Sequence, residues 1–175
     1  MDYFLLKQDE RCKDAPVLLN VRQHLDPRDA RQTRAHLIPD ALMLPVRSEP
    51  DNEYPDVLST KDLFLVSSRM KPLLELYEPN MISKLTVLLD SEHQRQHDYY
   101  LPIFEEIEAL SPSCEYKPDG ETITKLVLLS EPLRKKRIAR IRCDGALLIV
   151  VRLDVAESIL RRDFAAVRLE RVPME

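Results

Sequence analysis

The chain has 175 residues, a net charge of −4 from 30 acids and 26 bases, 44% hydrophobic residues and no tryptophan. That length carries one sizeable core, and its near balance of charge excludes a polyanion binder organised over the whole surface. Three well-separated cysteines (Cys12, Cys114, Cys143) exclude a disulfide framework, and two glycines leave no phosphate-binding glycine loop.

Taken in order, Tyr3 to Leu6 reads as a short strand, with charge on both sides and too few apolar residues for a signal peptide. No run of 18 apolar residues follows, so a membrane helix is not expected and a cytoplasmic location is. Residues 17–19 offer a possible second strand. The arginine-rich segment 20–40 reads as loop with one helical turn, and four prolines between Pro39 and Pro55 mark an arm in which no regular element is expected. Residues 1–54 are therefore expected to form an irregular arm packed on a domain of residues 55–175.

That domain is expected to centre on 63–89. Leu63 to Val66 is apolar enough for a strand buried on both faces, and Ser67 or Ser68 can cap the helix that follows. Met70, Leu73, Leu74 and Tyr77 share one helical face over about three turns, with Pro72 in the first turn and Pro79-Asn80 as the stop. Residues 84–89 return as a strand. DSEHQRQHD (90–98) reads as a polar connector, and 103–110 as a short helix or two strand fragments.

Residues 111–120 form a turn-rich loop and 122–129 a strong strand. Residues 137–143 read as a half-buried strand, turned at Asp144-Gly145 into the apolar strand 146–151. Asp154 can cap a second helix with Leu153, Ala156, Ile159 and Leu160 inward, before a last strand over 164–169. The segments 63–89 and 146–171 thus look like two strand-helix-strand units. The fold class is α+β, expected as one mixed sheet with short helices on one side.

The candidate chemistry is thin. His93 and His97 have the spacing of two ligands on a helix face, but nothing completes a metal site. Ser67-Ser68 sits where an elbow nucleophile would, without the glycines that the sharp turn needs. The acids Asp98, Glu105, Glu106 and Glu108 can form a negative patch for a basic partner. The basic stretch Arg134, Lys135, Lys136, Arg137, Arg140 and Arg142 supports an alternative, a small nucleic-acid-binding or regulatory scaffold, though it lacks interleaved aromatic residues. An enzyme and a cofactor are not expected.

The succession of FLVSSRMKPLLELYEPN, KLTVLL, Tyr99-Tyr100-Leu101, IFEEIEAL, TKLVLL and ALLIVVRLDVAESILRRDFAAVRLERV resembles a bacterial immunity-protein family, number eleven of the polymorphic toxin systems. The resemblance spans roughly residues 55–172. It departs from the pattern at Pro102, where an asparagine is expected, and at Asp163, where a glycine is expected. It implies a protein without catalytic activity that binds and neutralises a cognate toxin, with Asp98, Glu105, Glu106 and Glu108 as contacts for a basic toxin.

Overall fold

The computed structural model describes residues 1–175. The first half contains β1 (Tyr3–Gln8), α1 (Val21–His24), β2 (Ala41–Pro45), β3 (Val57–Ser59), β4 (Phe64–Ser67), α2 (Lys71–Tyr77), β5 (Ile82–Asp90) and β6 (Arg95–Ile103). After these come β7 (Glu106–Ile107), β8 (Glu115–Tyr116), β9 (Ile123–Lys125), α3 (Ser130–Leu133), β10 (Ile138–Ile141), β11 (Leu148–Arg152), α4 (Leu153–Leu160) and β12 (Val167–Val172). The class is α+β, as expected, but the strands divide into two mixed five-stranded sheets and a small ribbon instead of one sheet.

The first sheet has the order β12-β1-β11-β10-β7 and the second β2-β5-β6-β4-β3. Both strand-helix-strand units are present and are built alike. In the second sheet β4 and β5 each pair antiparallel with β6, which lies between them; in the first, β11 and β12 do the same around β1. Each unit also begins with a hairpin, β3-β4 or β10-β11. The strand inserted into the first unit follows it directly, whereas the one inserted into the second comes from the far end of the sequence.

Alternation along the strands sends successive side chains to opposite faces, and both faces of both sheets are covered. Phe64 and Val66 of β4 join Ile149 and Val151 of β11 in a core shared by the two sheets, with Met70 just before α2, Leu74 of α2 and Val155 and Ile159 of α4. Leu65 of β4 points the other way, to Leu44, Leu88 and Leu101 and to Leu25, Ala35 and Ile38 of the arm. Val150 of β11 points likewise to Tyr3, Ala139, Leu128 and Leu133.

Several expectations need correction. The segment 1–54 is irregular only in part: β1 is an interior strand, and Ala41–Pro45 is a strand parallel to β5 although prolines flank it. Those prolines sit at or beyond its ends, where no ladder hydrogen bond is lost, and Leu42 and Leu44 are buried. Residues 17–19 make a single bridge, Leu18 to Val46, along its outer edge. The connector 90–98 is the turn of a long hairpin and the first half of its second strand, β6, with Gln94 at φ 50.

Of the two alternatives for 103–110, the structure has the strand fragments: β6 ends at Ile103 and β7 covers Glu106–Ile107. Only Ile123–Lys125 of the segment 122–129 is a strand, because Val127 and Leu128 leave the ribbon to bury themselves. Helix α2 has two turns, since the Ser67 hydroxyl accepts from the Met70 N–H at 3.1 Å and holds the preceding residues in a turn. In α4 the buried residues are Val155, Ala156 and Ile159, while Leu160 is 70% exposed. At 3.6 residues per turn the inward face is rotated by about 60° from the expected one. Asp154 lies inside the first turn and holds Arg152 at 2.8 Å instead of capping the helix. Asp163 adopts φ 49, a left-handed conformation that aspartate tolerates better than most residues.

Candidate functional site

The two rival surfaces of the sequence are each other's counter-ions. Strands β7 and β10 pair in parallel with Glu106 opposite Arg140 and Ile107 opposite Ile141. Glu106 lies 2.9 Å from Arg142 and 3.4 Å from both Arg140 and Arg31, and its side chain is only 12% exposed. Glu108 pairs with Arg142, and Glu105 with Lys136. Burial, opposed by Glu106 and assisted by Arg31, pulls the Arg140 guanidinium below the usual arginine value. Arg134 is 3.9 Å from Glu131 and Arg137 4.0 Å from Asp154, while Lys135 makes no ion pair. A signal for this strip is present in the sequence: Glu106-Ile107-Glu108 and Arg140-Ile141-Arg142 match in spacing and oppose in charge.

Asp98 stands apart from that strip, exposed on β6 and without an ion pair. It borders a cleft of about 380 Å³ lined by Tyr54, Ser67, Ser68, Arg69 and His97. The Tyr54 and His97 rings stack with centroids 3.4 Å apart, and burial first, then Arg95, hold His97 below the usual histidine pKa. His93 and His97 do not share a helix face. His93 is in the β5-β6 turn with Nδ1 2.9 Å from Asp90, so the two rings have separate partners and form no metal pair.

The cleft also brings Ser67, Ser68 and His97 together, which the sequence left open, but both hydroxyls are engaged elsewhere. Ser67 donates to Asp56 at 2.5 Å and Ser68 to the Asp98 carbonyl at 3.1 Å. One wall is tightly held. The buried Asp56 carboxylate also accepts the Ala165 N–H at 2.6 Å, and Arg69 donates to the Asp163 carbonyl at 2.8 Å while covering the Phe164 ring at 4.8 Å.

On balance the rim of this end of the molecule is acidic, although Lys13, Arg47 and Arg95 are exposed on the same segments. Glu53 N–H donates to the Asp14 carbonyl at 2.7 Å, and the Ser48 hydroxyl donates to Asp90, which joins the segments 12–14, 47–54 and 90–98. Asp14, Glu49, Asp51, Glu53, Glu92 and Asp98 are all exposed here and none is in an ion pair. Sequence reading picked out only Asp98, since the others are far apart along the chain.

Asp90, beneath this rim, is lowered from 3.8 to about 2, chiefly by the Ser48 hydroxyl and then by the His93 N–H and ring. A depressed folded value means that its stabilisation is full above the ordinary carboxylate pKa and is lost as pH falls from about 4 through 2. Asp90→Asn should therefore flatten the acid limb of stability between those values, its cost being full and independent of pH between pH 6 and 7, about two units or more above the ordinary carboxylate pKa. Thermal melts of both proteins across this range check it, and parallel curves would refute it.

No helix is long and apolar enough to cross a membrane. No protein-family model matches the chain, and no curated protein matches it in sequence.

Proposed function

We propose that this protein is an immunity protein that binds and neutralises a cognate bacterial toxin, docking the toxin at the acid-rimmed end around Asp98. The observation that carries this reading is the contrast between two acidic groups. Glu105, Glu106 and Glu108 are neutralised by bases of the same chain, whereas Asp98 and the rim acids face solvent without partners. Uncompensated charge on a preformed surface accelerates encounter with an oppositely charged partner, and a partly apolar cleft beside it can seat an anchoring side chain. The resemblance of roughly residues 55–172 to an immunity family supports the same role. The toxin this surface suits is basic.

Co-purification with the product of the adjacent gene, followed by calorimetry on the recovered pair, tests the proposal. A tight complex of fixed stoichiometry is expected. The Asp98→Lys/Glu92→Lys variant should weaken it by tenfold or more, an effect of about 1.4 kcal/mol. Glu108→Lys, outside the rim, should leave it unchanged. Failure to recover a complex, or equal affinity for all three proteins, would overturn the reading.

A further inference from the structure

We infer that the groove between the arm and the β10-β11 loop binds a compact multivalent anion of the phosphate class. The groove has a volume of about 230 Å³ and takes Arg22, Arg28 and Arg31 from the arm, Lys61 from the β3-β4 turn and Arg140 from β10. Cations from three separate segments thus face one small space. A contiguous hollow of about 400 Å³, formed by Arg22, Asp26, Pro27 and Arg28, extends it outward.

The charge in the groove is only partly answered. Arg31 and Arg140 share Glu106 with a third guanidinium, Arg142, so three cations lean on one carboxylate, which Glu108 relieves only at Arg142. Lys61 is exposed and makes no ion pair. Arg140 is fixed by donating to the Ala30 carbonyl at 2.7 Å, which holds the arm against β10 and sets the width of the groove.

Arg22 and Arg28 are paired with Asp62 and Asp26 at 3.0 and 2.6 Å, but their side chains are 71% and 80% exposed. Such solvated pairs contribute little, and a multivalent anion can draw both guanidinium groups to itself. The planar fork of arginine matches the oxygens of a phosphate.

A compact anion fits better than a nucleic-acid strand. Asp62 and Asp144 also line the groove and would repel a phosphate backbone running through it, whereas a short anion can sit among the cations between them. The inference is independent of toxin binding, because none of its residues belongs to the acidic rim.

Calorimetric titration of the full chain with inorganic triphosphate at low ionic strength tests it. Saturable binding of one anion per chain is expected, weakened about tenfold or more in Arg28→Ala/Lys61→Ala. Both side chains are exposed, and an unchanged melting temperature will show that the variant folds. Lys135→Ala should bind as the parent does. Absence of saturation up to about 10 mM would overturn the inference, since affinity beyond that is weaker than specific recognition requires. So would an equal loss in Lys135→Ala, which would signify diffuse attraction, or tighter binding of a single-stranded oligonucleotide than of triphosphate.

Discussion

Removal of residues 1–8 is expected to leave a chain without a cooperative thermal transition, and a peptide of those residues added in trans is expected to restore one. Strand β1 pairs with β11 through Tyr3–Leu6 and with β12 through Tyr3–Gln8, and those two strands have no pairing with each other. Tyr3 and Leu6 are 1% and 2% exposed, and the single proton of the Tyr3 hydroxyl lies between two carbonyl acceptors, that of Leu133 and that of Lys136 at 2.6 Å. Burying Tyr3 and Leu6 at about 1.5–3 kcal/mol each, with the half-buried Phe4 and Leu5 adding a part of that, is a large share of the whole stability of a domain, about 5–15 kcal/mol. Losing the strand also leaves both neighbours with unpaired backbone groups. Circular dichroism melts with and without the peptide give the answer. A truncated chain that melts cooperatively near the intact temperature would mean that β11 and β12 close on each other.

Glu106→Ala is the second large effect, with an expected loss of about 3 kcal/mol, the low end for removing one partner of a buried ion pair. The side chains of Glu106 and Arg140 are 12% and 16% exposed, and without the carboxylate the Arg31, Arg140 and Arg142 guanidinium groups face one another. Added salt should recover part of the loss by screening that repulsion. Replacing the buried base as well, in Glu106→Ala/Arg140→Met, should recover most of it. Urea unfolding of the parent and both variants measures this. A single variant within about 1 kcal/mol of the parent, which the double variant does not improve, would show that the cluster is held as a solvated surface network.

The local elements were largely legible in the sequence, while their neighbours were not. The run Leu63–Val66, the stripe Met70-Leu73-Leu74-Tyr77 and the turn at Gly145, which has φ 81, each carry their own signal and appear where expected. Strand β6 begins in Arg95-Gln96-His97-Asp98 because β4 reaches only Tyr99 and Tyr100, so this stretch is an open edge where polar residues are at home. Its turn places Gln94 at positive φ without glycine or asparagine to announce it. The division into two sheets depends on β1 meeting strands near the other end of the chain, which no local pattern encodes. At the surface, the charges of Glu106 and Glu108 were visible, but their neutralisation depends on the pairing of β7 with β10. Asp98 was found on the same evidence and stays unpaired, the nearby Arg69 being engaged by the Asp163 carbonyl and the Phe164 ring.

The interior place of β1 also sets an order of events during synthesis. Its partners β11 and β12 leave the ribosome long after it does, at about 5–20 residues per second on the order of ten seconds later. The second sheet, whose strands all lie between β2 and β6, can assemble in that interval, while Tyr3, Phe4, Leu5 and Leu6 wait without a partner. Closure of the first sheet is then a long-range step with a large loop-entropy cost, and it should limit the rate of folding. During that wait the nascent chain presents an open apolar strand, so the producing cell's chaperones will meet this protein as a half-assembled β-structure.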